Sequence, residues 1–168
     1  MVEGIKQRQH VVNGPAWRPR TAEGDALSGL AIGVLRVAGY LTQAGDALSK
    51  PFGQTSARWQ VLAAAANAPL SVAQIARVLG LSRQAVQRLA DLLEADGLAR
   101  YEDNPAHQRA KLLTLTPAGE KTLADIQAKQ AVWANALGAR IGEADLLQAQ
   151  RIVQRVLEVL EAHPVADV

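Results

Sequence analysis

Cysteine is absent from this sequence of 168 residues, which excludes disulfides, a thiolate nucleophile and thiol redox sensing. The three histidines, His10, His107 and His163, are too scattered for a metal site, so no metal or other cofactor is expected. Neither a nucleophile-base-acid set nor a phosphate-cradling glycine loop is present, and the chain reads as no enzyme. No apolar run is expected to approach the roughly 20 residues that span a bilayer. The N-terminus also lacks a charged segment leading into a continuous apolar stretch, so the expectation is a cytoplasmic protein without a membrane partner. Aromatic residues make up only 4% of the chain, whereas alanine and leucine recur throughout and favour helix. The expected fold class is therefore mainly α.

With 49% hydrophobic residues, the chain has ample material for a packed core, and its length fits one domain with extensions. The formal net charge of +2 is too mild to identify a polyanion partner, but the charge is unevenly placed. Residues 54–116 hold seven basic and five acidic side chains, and residues 117–168 reverse that order to five and seven. A nucleic-acid-facing middle beside a separate packing arm has this asymmetry.

Residues 1–24 lack a sustained apolar period and read as a flexible arm, with Trp17 expected to pack on the folded body. From Asp25 to about Lys50, apolar residues including Leu27 and Leu30 recur at helical spacing and stop before Pro51. Thr55 or Ser56 can cap a second helix carrying Trp59, Val61 and Leu62. Ser71 with Gln74 forms a capping box that predicts a helix over 72–79. Gly80 supplies a turn, and Ser82 caps a further helix whose Val86, Leu89, Ala90 and Leu93 share one face until Gly97. Two helices joined by Gly-Leu-Ser make a helix-turn-helix. Residues 98–102 and "KLLTLT" (111–116) then read as strands around the loop "DNPAHQRA", which completes a winged helix.

Thr116 and Pro117 open another helix through Leu123, Ile126 and Trp133, and Gly142 precedes a last helix with Val153, Val156, Leu157 and Leu160 on one side. Such an apolar terminal helix needs a covering surface. With Leu27, Leu30 and Trp133 it is expected to build a dimer interface, the other reading being a helical cap within one chain. The division is thus an arm (1–24), a dimerisation helix (25–53), a winged helix-turn-helix (54–116) and C-terminal dimerisation helices (117–168).

With its apolar face inward, the helix after Ser82 turns Arg83, Gln84, Gln87, Arg88 and Asp91 outward. Glutamine can pair with adenine N6 and N7 and arginine with guanine O6 and N7, and a helix fits the major groove of double-stranded DNA. The N-terminal part of a recognition helix reaches the bases, which favours Arg83, Gln84 and Gln87 for that contact. Ser82 and Arg88 complete the recognition-helix set, Arg88 to bind a phosphate or brace the fold; Ser71 is expected on a phosphate, and Asp91 either orients an arginine or stays solvated. His107, Gln108, Arg109 and Lys111 cluster at the wing, where Arg109 is placed to enter the minor groove.

The stretch from Ser71 to Gly119, "SVAQIARVLGLSRQAVQRLADLLEADGLARYEDNPAHQRAKLLTLTPAG", resembles the winged-helix core of the MarR (multiple antibiotic resistance regulator) family, with flanking helices in the family's order. "LTLTPAG" matches the family's strand ending and Thr-x-x-Gly helix start. The wing triplet, typically Asp-Arg-Arg-like, stands here as His107, Gln108 and Arg109. Arg109 carries over as the wing arginine. The acid and first arginine, whose salt bridge would brace the wing, do not, and a protonating His107 would make affinity depend on pH.

The resemblance implies a homodimeric regulator, usually a repressor, on a pseudo-palindromic operator, released by a small aromatic ligand. It places that ligand between the dimerisation helices and the winged unit, where Tyr40, Phe52 and Trp59 would line a pocket and Arg36 would meet an anionic group. The rival function is a winged-helix protein-interaction module without specific DNA binding, since fold does not dictate function.

Overall fold

The computed structural model describes residues 20–105 and 110–163. The described chain divides at Tyr40 and Leu41 into two units. Helix α1 (Ala22–Ser49) runs through that boundary and has only Gly45 and Ser49 buried, both beyond it. In the N-terminal unit, Leu27, Leu30, Leu35 and Val37 are all exposed.

The second unit begins with the last turns of α1, where Asp46 Oδ1 accepts from the Ser56 amide at 2.7 Å. That carboxylate sits on the first turn of helix α2 (Ser56–Asn67), where free N–H groups and the helix dipole favour a negative charge. Gly45 allows the approach: a Cβ there would lie 2.5 Å from Ser56 Oγ. Between them lie a short 3-10 helix (Lys50–Phe52) and Thr55, whose side chain caps α2 by accepting from the Arg58 amide.

After α2 come strand β1 (Leu70–Ser71), helix α3 (Val72–Leu79), helix α4 (Arg83–Ala95), strands β2 (Ala99–Glu102) and β3 (Leu112–Leu115), and helices α5 (Pro117–Ile141) and α6 (Glu143–Ala162). The sheet is antiparallel in the order β1-β3-β2, with Leu70 opposite Leu113 and Tyr101 opposite the same residue on the other side. The chain is a mainly α winged helix. Sequence periodicity missed β1, which has only two residues and no alternation to read.

The core forms where α2, α3 and α4 meet the sheet. Val61 and Leu62, Ile75, Val86, Ala90 and Leu93, and Leu113 are fully buried, and Leu123 of α5 joins the same cluster. On α4 the spacing of Val86, Ala90 and Leu93 makes one inward face, as the sequence predicts, with Leu89 half-buried beside it. Arg58 of α2 pairs with Asp96 just beyond α4, which ties the two helices at their ends.

Helices α1, α5 and α6 keep apolar surface in water. Helix α6 has no buried residue, and its Val153, Leu157 and Leu160 are 42%, 47% and 56% exposed. One stretch among the described residues, Ala22–Phe52, is long and apolar enough by length and composition to cross a membrane. This corrects the expectation that no such run exists. Alanine, leucine and valine raise the average over the helix although Arg36, Thr42, Gln43 and Asp46 interrupt it.

Candidate nucleic-acid interface

The helix-turn-helix is set by side chains that bond to backbone within three residues. Ser71 caps α3 in a full capping box: its amide and hydroxyl both donate to Gln74 Oε1 at 2.8 Å, and its Oγ accepts from the Gln74 amide. Gly80 ends α3 at φ 65°, a left-handed conformation that glycine adopts without steric cost. The Leu81 amide donates back to the Ala76 carbonyl at 2.9 Å, and Ser82 caps α4 by accepting from Ala85 N. The three-residue turn therefore aims the N-terminus of α4 outward, and Arg83, Gln84, Gln87 and Arg88 are all exposed.

A cleft of about 550 Å³ opens on this face, lined by Ser71, Val72, Ala73, Arg83, Gln84, Gln87, Tyr101, Ala110 and Lys111. Among the described residues the lining holds two cations and no acid, beside the positive end of a helix, so the cleft favours an anion. Five of the expected contacts, Ser71, Arg83, Gln84, Gln87 and Lys111, are brought together here. Arg88 lies on the exposed side of α4 outside the lining. His107, Gln108 and Arg109 lie outside the described residues.

Two expectations change. Ser71 is only 7% exposed and its hydroxyl proton goes to Gln74, so the side chain serves the cap instead of a phosphate. Among the described residues Asp91 pairs with no arginine: its Oδ1 accepts from Gln87 Nε2 at 2.7 Å and from the Tyr101 hydroxyl at 2.8 Å. Gln87 Nε2 also donates to the Tyr101 oxygen at 2.8 Å, closing a triangle between α4 and β2. Burial foremost, then the hydrogen bond and charge of Asp91, push the Tyr101 phenol well above its ordinary pKa. Tyr101 is the site residue the sequence reading missed. Strand alternation puts it on the same face as buried Ala99, toward α4, and that was the available signal.

Residues 52–110 match the family model described as MarR family. The uncharacterized protein Rv2011c of Mycobacterium tuberculosis (strain ATCC 25618 / H37Rv) is 36% identical over 138 residues, which cover 82% of this chain and 96% of that protein. The chain belongs to the MarR family. The solved transcriptional regulator PA3341 superposes with a TM-score of 0.72 at 26% identity, covering 80% of this chain and 99% of that one. CouR from Rhodococcus jostii RHA1, solved with p-coumaroyl-CoA bound, superposes with a TM-score of 0.69 at 22% identity over 76% of this chain and 90% of its own.

The MarR-like helix start after the wing has a structural basis here. Thr116 caps α5 by accepting from the Gly119 amide at 3.2 Å and donates its hydroxyl to the Gly97 carbonyl at 2.6 Å, while Gly119 is buried. Of the residues expected at a MarR ligand pocket, Arg36 and Tyr40 are exposed in the N-terminal unit. Phe52 is half-buried in the 3-10 helix, and Trp59 packs against the core cluster of the second unit. At the expected dimer interface, Trp133 and Val156 are half-buried and Leu27, Leu30, Val153, Leu157 and Leu160 are exposed.

Proposed function

We propose that this MarR-family chain is a sequence-specific DNA-binding transcriptional regulator that works in the cytoplasm as a homodimer and represses from a pseudo-palindromic operator. The observation that carries this reading is the gathering of Arg83, Gln84, Gln87 and Lys111 around one cleft at the exposed N-terminus of α4. Arg83 and Gln84, in the first turn of α4, reach base edges in the major groove. Ser82, with its hydroxyl proton left over from capping, together with Arg88 and Lys111, meets phosphates. The wing residues His107, Gln108 and Arg109 extend the contact to the adjacent minor groove.

The exposed Leu27 and Leu30 of α1, and Val153, Leu157 and Leu160 of α6, support dimerisation, because apolar surface of this kind is stabilised by removal from water. Twofold symmetry then sets two copies of α4 in successive major grooves about 10 base pairs apart. Release by a small aromatic effector is the proposed regulation, in keeping with the p-coumaroyl-CoA bound to CouR. Such a ligand must bind the DNA-free state more tightly than the DNA-bound one.

Fluorescence anisotropy with duplex DNA flanking the chain's own gene, against a shuffled duplex, tests this over a salt series. If Arg88 and Lys111 of two protomers neutralise four phosphates, the log-log slope with salt is about −3.6. Tight binding to the native duplex alone, with a slope near that value, supports the reading. Weak, equal and salt-insensitive binding to both duplexes refutes it and leaves the protein-interaction function.

A further inference from the structure

The triangle of Gln87, Asp91 and Tyr101 fixes which end of the Gln87 amide faces the cleft. A carboxylate only accepts, so the Gln87 atom 2.7 Å from Asp91 Oδ1 is the amide nitrogen; the reversed amide would set two oxygens against each other. Tyr101 gives its hydroxyl proton to the same Oδ1 and accepts from the Gln87 nitrogen with its own oxygen, so both partners call for the same amide orientation. The raised pKa of Tyr101 keeps that proton in place. Tyr101 is itself held by β2, opposite Leu113 of the central strand, and by its amide, which donates to Glu94 Oε1 at 3.4 Å. With the nitrogen turned toward β2, Gln87 Oε1 is left without a hydrogen-bond partner among the described residues, on a side chain that lines the cleft.

A freely turning glutamine offers a donor or an acceptor, and so tolerates several bases. A locked one offers its carbonyl oxygen. In the major groove that oxygen is met by the exocyclic amino groups of adenine and cytosine, whereas guanine presents O6 and N7, and thymine O4, all acceptors that repel it. We infer that Asp91 and Tyr101 hold Gln87 as a fixed hydrogen-bond acceptor, so that at the base it meets the protein selects adenine or cytosine and rejects guanine and thymine. Asp91 and Tyr101 are positioning residues, since they act on the DNA through Gln87. The inference rests on the reading of α4 as a DNA-recognition helix.

The test combines selection from a randomised duplex library with anisotropy on single base-pair substitutions. The position that Gln87 reads is the one whose preference disappears in Gln87→Ala. There the wild-type protein is expected to favour adenine or cytosine over guanine or thymine by between about 5-fold and 100-fold. In Asp91→Asn the new side-chain amide can donate to a reversed Gln87, and in Tyr101→Phe one tether is gone. Asp91→Asn is expected to bring the ratio at that position below about 3-fold, and Tyr101→Phe, which keeps the Asp91 carboxylate, to lower it by a smaller factor, while the preferences read by Arg83 and Gln84 persist. A structural role alone would weaken binding to every sequence equally.

A second measurement needs no DNA. The side-chain NH₂ resonances of Gln87, identified by their loss in Gln87→Ala, are expected to exchange slowly with solvent in the wild type and faster in both variants. A wild-type preference for guanine or thymine, an unchanged ratio in folded variants, or equally fast exchange in wild type and variants overturns the inference alone. Absence of any sequence selection by the wild-type protein overturns the DNA reading and this inference with it.

Discussion

Gly119 lies in the first turn of α5, and a Cβ placed on it would run into the carbonyl oxygen of Leu98, with the carbonyl carbon 2.9 Å away and Leu115 Cγ at 3.4 Å. Leu98 O cannot swing aside freely, because it accepts from the Thr116 amide at 3.1 Å, and the Thr116 hydroxyl is tied to the Gly97 carbonyl. Helix propensity alone would make Gly119→Ala stabilising by about 1 kcal/mol. Overpacking against pinned backbone costs about 3 kcal/mol, the upper part of the usual range, so the net loss is about 2 kcal/mol. For a chain of this size that lowers Tm by about 4–8 °C. Gly138→Ala, in the same helix, is the control: its Cβ meets only Leu146 Cδ1 at 3.9 Å. That variant keeps the propensity gain and is expected to raise Tm by about 2–4 °C. Thermal unfolding followed by circular dichroism reads both, at one protein concentration because association would shift Tm. A Gly119→Ala protein as stable as the wild type would refute the close-approach argument.

Ser71→Ala removes the α3 capping box and is expected to cost about 1 kcal/mol in urea unfolding. In the folded variant it should leave DNA affinity at fixed salt unchanged, since that hydroxyl is spent on Gln74; a loss of affinity equal on every duplex would restore Ser71 as a backbone contact. Lys111→Ala, by contrast, should make the salt slope of a dimer shallower by about 1.8, one phosphate from each protomer, with base preferences intact. Leu93→Ala opens a cavity under α4 at a fully buried position and should lower stability by about 2–5 kcal/mol in the same unfolding assay. Because the folded-state pKa of Tyr101 is raised, its contribution to stability is complete below about pH 10 and is lost as pH rises further. Unfolding curves for wild type and Tyr101→Phe should therefore converge only above that pH; a constant difference would contradict the Asp91 contact.

The sequence by itself settled the elements whose signals act within a few residues. Ser71 with Gln74, Ser82 and Thr116 mark helix starts because each side chain reaches a backbone amide three residues on. Gly80 marks a stop through its own φ angle. The inward face of α4 followed from the spacing of Val86, Ala90 and Leu93. Tertiary structure decided what depends on partners far along the chain. Strand β1 exists because Leu70 finds Leu113, and Gly119 must be glycine because Leu98 passes beside it. The state of the reading face was decided the same way. Gln87 and Asp91 are one helical turn apart, so their pairing was legible, but the hydroxyl that completes the triangle arrives on β2, beyond a turn of the chain. Periodicity shows which side of a helix faces outward. Which end of an exposed amide faces outward depends on the neighbours that folding brings to it.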